Sequence, residues 1–193
     1  MKSRIGNYVK MFLMVVAFAG SAFAVSGQVV KTGIEQLESR NFDILNGKKV
    51  GLITNPTGVD RNLRSTVDIL NNAAGVKLVA LYGPEHGVRG DFTAGEHVAT
   101  ETDPVTKLPV YSLYGSTRKP TKDMLKGIDV IVYDIQDIGS RSYTFISTLG
   151  LVMEAAAESN IPVVVLDRPN PLGGERMEGA IVRPGFVSFV SQF

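Results

Sequence analysis

Residues 78–90, Leu78-Val79-Ala80-Leu81-Tyr82-Gly83-Pro84-Glu85-His86-Gly87-Val88-Arg89-Gly90, hold an apolar run that stops at a Gly-Pro pair and delivers three ionisable side chains. Leu78, Val79, Ala80 and Leu81 form the bounded apolar run expected of a strand buried in a parallel sheet. Gly83, Pro84, Gly87 and Gly90 break the regular backbone around Glu85, His86 and Arg89. In open α/β sheets, ligands bind in the crevice beyond the carboxyl ends of the strands. A carboxylic acid, an imidazole and a guanidinium therefore stand where such a sheet forms its pocket.

The same grammar recurs on either side. Val50-Gly51-Leu52-Ile53-Thr54 is a buried strand ended by the turn Asn55-Pro56-Thr57-Gly58. Residues 129–133 are another, followed by Asp134, Gln136, Asp137, Gly139, Arg141 and Tyr143. Residues 162–166 deliver Asp167-Arg168-Pro169-Asn170-Pro171, and 109–114 suggest a short strand. Between these lie helical patterns. Residues 33–40 carry Ile34 and Leu37 at helical spacing. Ser65-x-x-Asp68 opens a second helix with Val67, Leu70 and Ala74 on one face and Gly75 as its stop. Residues 121–126 predict a short helix closed by Gly127. Residues 142–159 are the best helix of the chain, with Phe145, Leu149, Val152 and Ala156 on one stripe and Asn160 and Pro162 ending it. The polar stretch 91–107 predicts a loop bordering the site. Strands alternating with helices predict a Rossmann-like α/β fold, with a mostly parallel sheet and helices on both faces. Four strand ends then bring polar residues to one edge.

Composition supports a globular domain. The chain has 193 residues, 44% of them apolar, which is enough for one domain with a real core. Twenty basic against nineteen acidic side chains leave a net charge of +1, so no global field favours nucleic acid. Lys2, Arg4 and Lys10 precede an apolar run at 11–19, and Ala22-Phe23-Ala24 supplies a small-x-small cleavage pattern. The apolar run falls short of the roughly twenty residues a bilayer span needs. We therefore expect a signal peptide at 1–24, no stable membrane anchor after cleavage, and export to the periplasm or beyond. With no cysteine, neither a disulfide nor a lipidated N-terminal Cys is possible. The expected organisation continues with an N-terminal segment at 25–48 and a Rossmann-like domain at 49–185.

Each candidate residue has a chemical and a structural role open to it. Glu85 could serve as a general acid if an apolar pocket favours its protonated form. It could instead cap the following segment or pair with Arg89. His86 could orient Glu85 or bond a substrate hydroxyl. His86 and His97 each follow a glutamate, which suggests a metal-dependent hydrolase or deacetylase. The chain nevertheless has no His-Glu-x-x-His and no third histidine, so we expect neither a metal nor a cofactor. Asp137 and Arg141, with Tyr143, lie at a strand-to-helix junction where an anion could bind, or where the two could form a salt bridge. Asp167, Arg168 and Asn170 are ligands or turn residues. A phosphate-binding Gly-rich loop is missing, so the sheet does not imply a dinucleotide.

Four motifs in order resemble the exo-β-N-acetylmuramidases, bacterial glycoside hydrolases formerly known as a domain of unknown function. They are Val50-Gly51-Leu52-Ile53-Thr54-Asn55-Pro56-Thr57-Gly58, Gly83-Pro84-Glu85-His86-Gly87, Asp134-Ile135-Gln136-Asp137-Ile138-Gly139-Ser140-Arg141 and Asp167-Arg168-Pro169-Asn170-Pro171. The resemblance implies an exo-acting enzyme that releases N-acetylmuramic acid from the non-reducing ends of peptidoglycan fragments, in cell-wall turnover and recycling. It implies Glu85 as the catalytic acid; His86, read from its place beside Glu85, is the second expected catalytic residue. Asn55, Arg89, Asp134, Gln136, Asp137, Arg141, Tyr143, Asp167, Arg168 and Asn170 are the expected substrate-binding residues, with Arg141 or Arg168 facing the lactyl carboxylate. Asp137 and Asp167 are candidates for the second carboxylate, unless the substrate's acetamido group takes that role. Family members are about twice this length, so residues 186–193 are expected to begin a second half that the chain lacks, leaving an apolar, aggregation-prone end. The rival expectation from the same polar edge is a periplasmic module that binds sugar fragments without cleaving them.

Overall fold

The computed structural model describes residues 30–91 and 101–192. The expected signal peptide and its Ala22-Phe23-Ala24 site, most of the stretch 91–100 including His97, and Phe193 lie outside the described residues. The elements belong to the compact unit Lys31–Phe193.

In chain order the elements are helix α1 (Gly33–Ser39), a 3-10 turn (Asp43–Leu45), strand β1 (Lys49–Thr54), helix α2 (Thr66–Asn72), β2 (Lys77–Gly83), β3 (Glu101–Thr102), β4 (Pro109–Ser112), β5 (Val130–Asp134), helix α3 (Phe145–Glu158) and β6 (Val163–Val165). They form one six-stranded sheet in the order β3-β4-β2-β1-β5-β6. Every neighbouring pair is parallel except β3 with β4. The α/β expectation therefore holds.

Side-chain alternation divides the core between the two faces of the sheet. Val50 and Leu52 of β1, with Val130 and Val132 of β5, pack against Ile34, Leu37, Val67 and Leu70 of α1 and α2. Ile53, Ile131 and Tyr133 point the other way, onto Val152, Ala155 and Ala156 of α3. Strand β2 would break this pattern, because Leu78 and Leu81 share the first face while Ala80 and Tyr82 share the second. A bulge resolves it: Val50 pairs with Leu78 but Gly51 pairs with Ala80, so Val79 is the extra residue.

The structure departs from the expected elements in two places. Residues 122–127 form turns instead of a helix, with single bonds such as Lys126 N–H to the Asp123 carbonyl at 3.2 Å. Leu125 is buried in the core with Met124 packed beside it, but six residues give too few backbone bonds to offset the cost of nucleating a helix. Within the predicted loop at 91–107, Glu101–Thr102 forms the antiparallel edge strand, pairing with Pro109 and Val110 of β4.

Chain direction reverses its spread at β1: β2 and β4 lie to one side, β5 and β6 to the other. The topological switch point thus falls beyond Thr54 and Asp134, with the end of β2 next to it.

Candidate active site

At the switch point the strand ends are tied together by buried polar groups. The Asp134 carboxylate is fully buried. Arg168 Nε donates to its Oδ1 at 2.6 Å and Nη2 to its Oδ2 at 2.9 Å, a two-pronged pair. The same Nη2 reaches the Val59 carbonyl at 2.9 Å, and the Thr66 hydroxyl donates to Asp134 Oδ2. Thr54 Oγ1 donates to the Asp134 carbonyl at 2.7 Å. Gly58 passes so close that a Cβ there would lie 2.1 Å from Thr54 Oγ1 and 2.9 Å from the Asp134 carbonyl. One cluster therefore fastens β1, β5, the segment after β6 and the start of α2. Asp134 and Arg168, expected as substrate ligands, meet each other: the Arg168 side chain is only 6% exposed.

Asn55 and Gln136 belong to the same fastening. Asn55 Oδ1 accepts from Thr57 N–H at 3.0 Å and from the Thr57 hydroxyl at 2.5 Å. That hydroxyl in turn accepts from Gln136 N–H at 2.9 Å. Gln136 Nε2 donates to the Asp137 carbonyl at 2.6 Å and the Pro169 carbonyl at 3.0 Å. Asp137 Oδ1 accepts from Gly139 N–H at 2.7 Å, and Asn170 Oδ1 from Leu172 N–H at 3.0 Å, both closing turns. Asp167 Oδ1 accepts from Arg168 N–H at 2.9 Å. Among the described residues no ion pair joins Asp137 to Arg141; Arg141 Nη2 donates to the Ala180 carbonyl at 2.7 Å instead. Arg141 and Arg183 line one open cavity of about 400 Å³ with Phe186. Tyr143 is 46% exposed, its ring tilted against Phe145.

Beyond β2 the backbone turns back on itself. Gly87 N–H bonds the Pro84 carbonyl at 3.0 Å, and a Cβ on Gly83 would strike Val88 N at 2.9 Å. His86 is held at φ 71° and Gly87 at φ 76°. A left-handed conformation costs a residue with a side chain on the order of 1 kcal/mol, so the surrounding contacts must impose it. Val88 is buried in the core and anchors the turn from behind. Glu85 is left half-buried and His86 exposed at the rim.

Arg89 faces away from Glu85. Its Nη2 donates to Asp68 Oδ1 at 3.1 Å and to Asp103 Oδ2 at 3.2 Å, and its Nε to Asp103. No Glu85–Arg89 ion pair exists among the described residues. Burial alone would raise the Asp103 carboxyl, but Arg89 and the Thr106 amide and hydroxyl outweigh it and hold it well below the usual carboxylate range. Among the described residues no three His, Cys, Asp or Glu side chains converge as a metal-binding group.

One neighbour of Glu85 escaped sequence analysis. The Glu85 carboxylate near the Tyr114 hydroxyl, with some burial, raises the phenol above its ordinary value. Arg118 opposes the shift, and its guanidinium lies 4.4 Å above the Phe189 ring. The only available signal was a hydroxyl-bearing aromatic two residues past a short strand, before Gly115.

Residues 50–193 match the family described as "Exo-beta-N-acetylmuramidase NamZ, N-terminal". The peptidoglycan β-N-acetylmuramidase NamZ of Bacillus subtilis (strain 168) is 54% identical over 164 residues, which cover 85% of this chain and 40% of that protein. Two crystal structures of DUF1343 family proteins from Bacteroides fragilis share the fold. One is 66% identical with a TM-score of 0.78 over 84% of this chain and 41% of its own. The other is 34% identical with a TM-score of 0.71, over 85% and 41%. The chain thus spans about two fifths of the length of these relatives.

Proposed function

Since the chain belongs to the family of N-terminal domains of exo-β-N-acetylmuramidases, we propose that it is the acid-bearing part of a glycosidase. That enzyme releases N-acetylmuramic acid from the non-reducing ends of peptidoglycan fragments. The observation that carries this proposal is the setting of Glu85 within the family's span. It is a half-buried carboxyl at the end of β2, beside the switch point, on a turn whose left-handed His86 is imposed by the fold.

Chemically, Glu85 transfers its proton to the glycosidic oxygen as the bond to the muramyl C1 breaks, and water completes the sugar. His86, adjacent and exposed, is placed to bond a substrate hydroxyl or to orient the acid. Arg141, on the β5–α3 segment beside a cavity, suits the lactyl carboxylate better than Arg168, whose guanidinium is occupied by Asp134. The leader-like residues 1–24 and a cell-wall substrate together support export to the periplasm or beyond.

The test is release of N-acetylmuramic acid from a muramic-acid-terminated disaccharide, using the chain extended by the C-terminal portion its relatives carry. Glu85→Gln keeps the size of the side chain and removes the transferable proton. We expect turnover to fall by about 10²- to 10⁴-fold. A variant within threefold of wild type would place the acid elsewhere, with Asp137 and Asp167 next in line.

A further inference from the structure

We infer that Arg183 and Phe186 complete, with Arg141, a recognition site for a carboxylate carried on a short apolar stem. The choice of ligand rests on the reaction proposed above, whose muramyl substrate carries such a group as its lactyl ether. A turn builds the site. Pro184 and Gly185 are the central pair of Arg183-Pro184-Gly185-Phe186, Gly185 has φ 87°, and Phe186 N–H bonds the Arg183 carbonyl at 3.1 Å. Proline presets the first central position and glycine accepts the positive φ of the second, so the turn brings Arg183 and Phe186 close together. Both flanks of the turn are held. Arg141 Nη2 donates to the Ala180 carbonyl at 2.7 Å on one side. On the other, Ser191 Oγ donates to the Phe186 carbonyl at 3.0 Å and accepts from Ser188 N–H at 3.2 Å.

The cavity of about 400 Å³ is lined by Arg141, Arg183, Phe186, Ile181 and Val182, and no acidic side chain borders it. Among the described residues neither guanidinium has a carboxylate partner: Arg141 gives one N–H to a backbone carbonyl, and the Arg183 side chain makes no hydrogen bond. Two like charges on one cavity favour a bound anion, and a guanidinium pairs best with a planar carboxylate, through two parallel N–H bonds. The Phe186 ring is 74% exposed and, unlike Phe189 under Arg118, has no cation or ring partner among the described residues, so it offers an apolar face. A lactyl group matches both parts: its carboxylate meets the guanidiniums and its methyl meets Phe186 and Ile181. A glucosaminyl end lacks that group and leaves both arginines unpaired, which is how the site selects against it. The same carboxylate chemistry has a second source, the free end of a stem amino acid joined to the lactyl group through an amide.

The test measures binding to the chain extended by the C-terminal portion its relatives carry, for wild type, Arg183→Gln and Phe186→Ala, with circular dichroism checking the fold of each. The probes are N-acetylmuramic acid, N-acetylmuramyl-L-alanine and N-acetylglucosamine, titrated by calorimetry. Wild type should prefer a carboxylate-bearing probe to N-acetylglucosamine by about ten- to a hundredfold, the range of a hydrogen bond to a charged group. Arg183→Gln should lose most of that preference and keep its affinity for N-acetylglucosamine. Phe186→Ala should weaken the muramyl probes by about threefold or more, as loss of the cover over one methyl implies. Whichever muramyl probe loses affinity in Arg183→Gln identifies the carboxylate, lactyl or stem, and supports the site. A wild type without carboxylate preference, or a preference that survives Arg183→Gln, overturns it, and an unaffected Phe186→Ala overturns the role of the ring. The reaction is judged separately, by release of N-acetylmuramic acid from the disaccharide: an Arg183-dependent preference without turnover keeps the site and overturns the glycosidase reading.

Discussion

Neutralising Asp134 isolates what the strand-end cluster contributes. In Asp134→Asn the side chain keeps its size and one acceptor oxygen, but the Arg168 guanidinium, 6% exposed, loses the only carboxylate it pairs with among the described residues. Removing one partner of a buried ion pair costs about 3–5 kcal/mol, because the surviving charge stays buried without compensation. Domains of this class have total stabilities of about 5–15 kcal/mol. For a domain of this size each kcal/mol lowers Tm by about 2–4 °C, so a fall of roughly 6–20 °C is expected. Arg168→Met should cost a similar amount, with loss of the bond to the Val59 carbonyl added. The double variant Asp134→Asn/Arg168→Met leaves no unpaired charge and should be more stable than the sum of the single losses implies. The chain contains no tryptophan, so far-UV circular dichroism during urea or thermal unfolding is the suitable probe. A loss below about 1 kcal/mol in Asp134→Asn, with altered sugar binding, would refute the structural assignment and return Asp134 and Arg168 to the substrate.

Two further outcomes concern stability. Gly58→Ala should destabilise by about 1–3 kcal/mol through overpacking against Thr54 Oγ1, whereas Gly174→Ala, with open space around it, should be silent by the same unfolding assay. Asp103 has a folded-state carboxyl held below its ordinary 3.8, so its stabilisation is present above about pH 4 and lost as pH falls further through the folded value. Asp103→Asn should therefore be less stable than wild type at pH 6 and draw level in acid; a stability gap that stays constant from pH 6 to pH 2 would contradict the Arg89–Asp103 assignment.

Most of the fold was legible because burial on both faces imposes continuous apolar runs, and β1, β2 and β5 each carry one. The neighbours of each strand were not legible. The bulge at Val79 and the two-residue β3 depend on pairing, which leaves no periodic trace in the chain. At the site, sequence analysis found the strand ends but could not tell ligands from fasteners. Asp134 and Arg168 are polar residues at strand ends, as Glu85 is. What separates them is that Asp134 meets a guanidinium delivered 34 residues later and is fully buried. The nearness of Tyr114 to Glu85 was invisible for the same reason: it follows from the register of β4 against β2.

The position of β1 at the centre of the sheet also sets an order of events as the chain emerges N-terminus first. Its edge toward β2 can be satisfied soon after synthesis, since Lys49 pairs with Lys77. Its other edge needs β5: the bond from Thr54 to Asp134 spans 80 residues, and Arg168 reaches Val59 across 109. If supplied at the rate of synthesis, about 5–20 residues per second, the 80 intervening residues keep that edge waiting on the order of 4–16 s for its partner. Through that interval the nascent chain presents an unpaired hydrogen-bonding edge flanked by Val50, Leu52 and Ile53, the kind of surface that recruits other strands. Until residue 134 emerges, this half-built sheet is the stage at which the polypeptide most needs an escort.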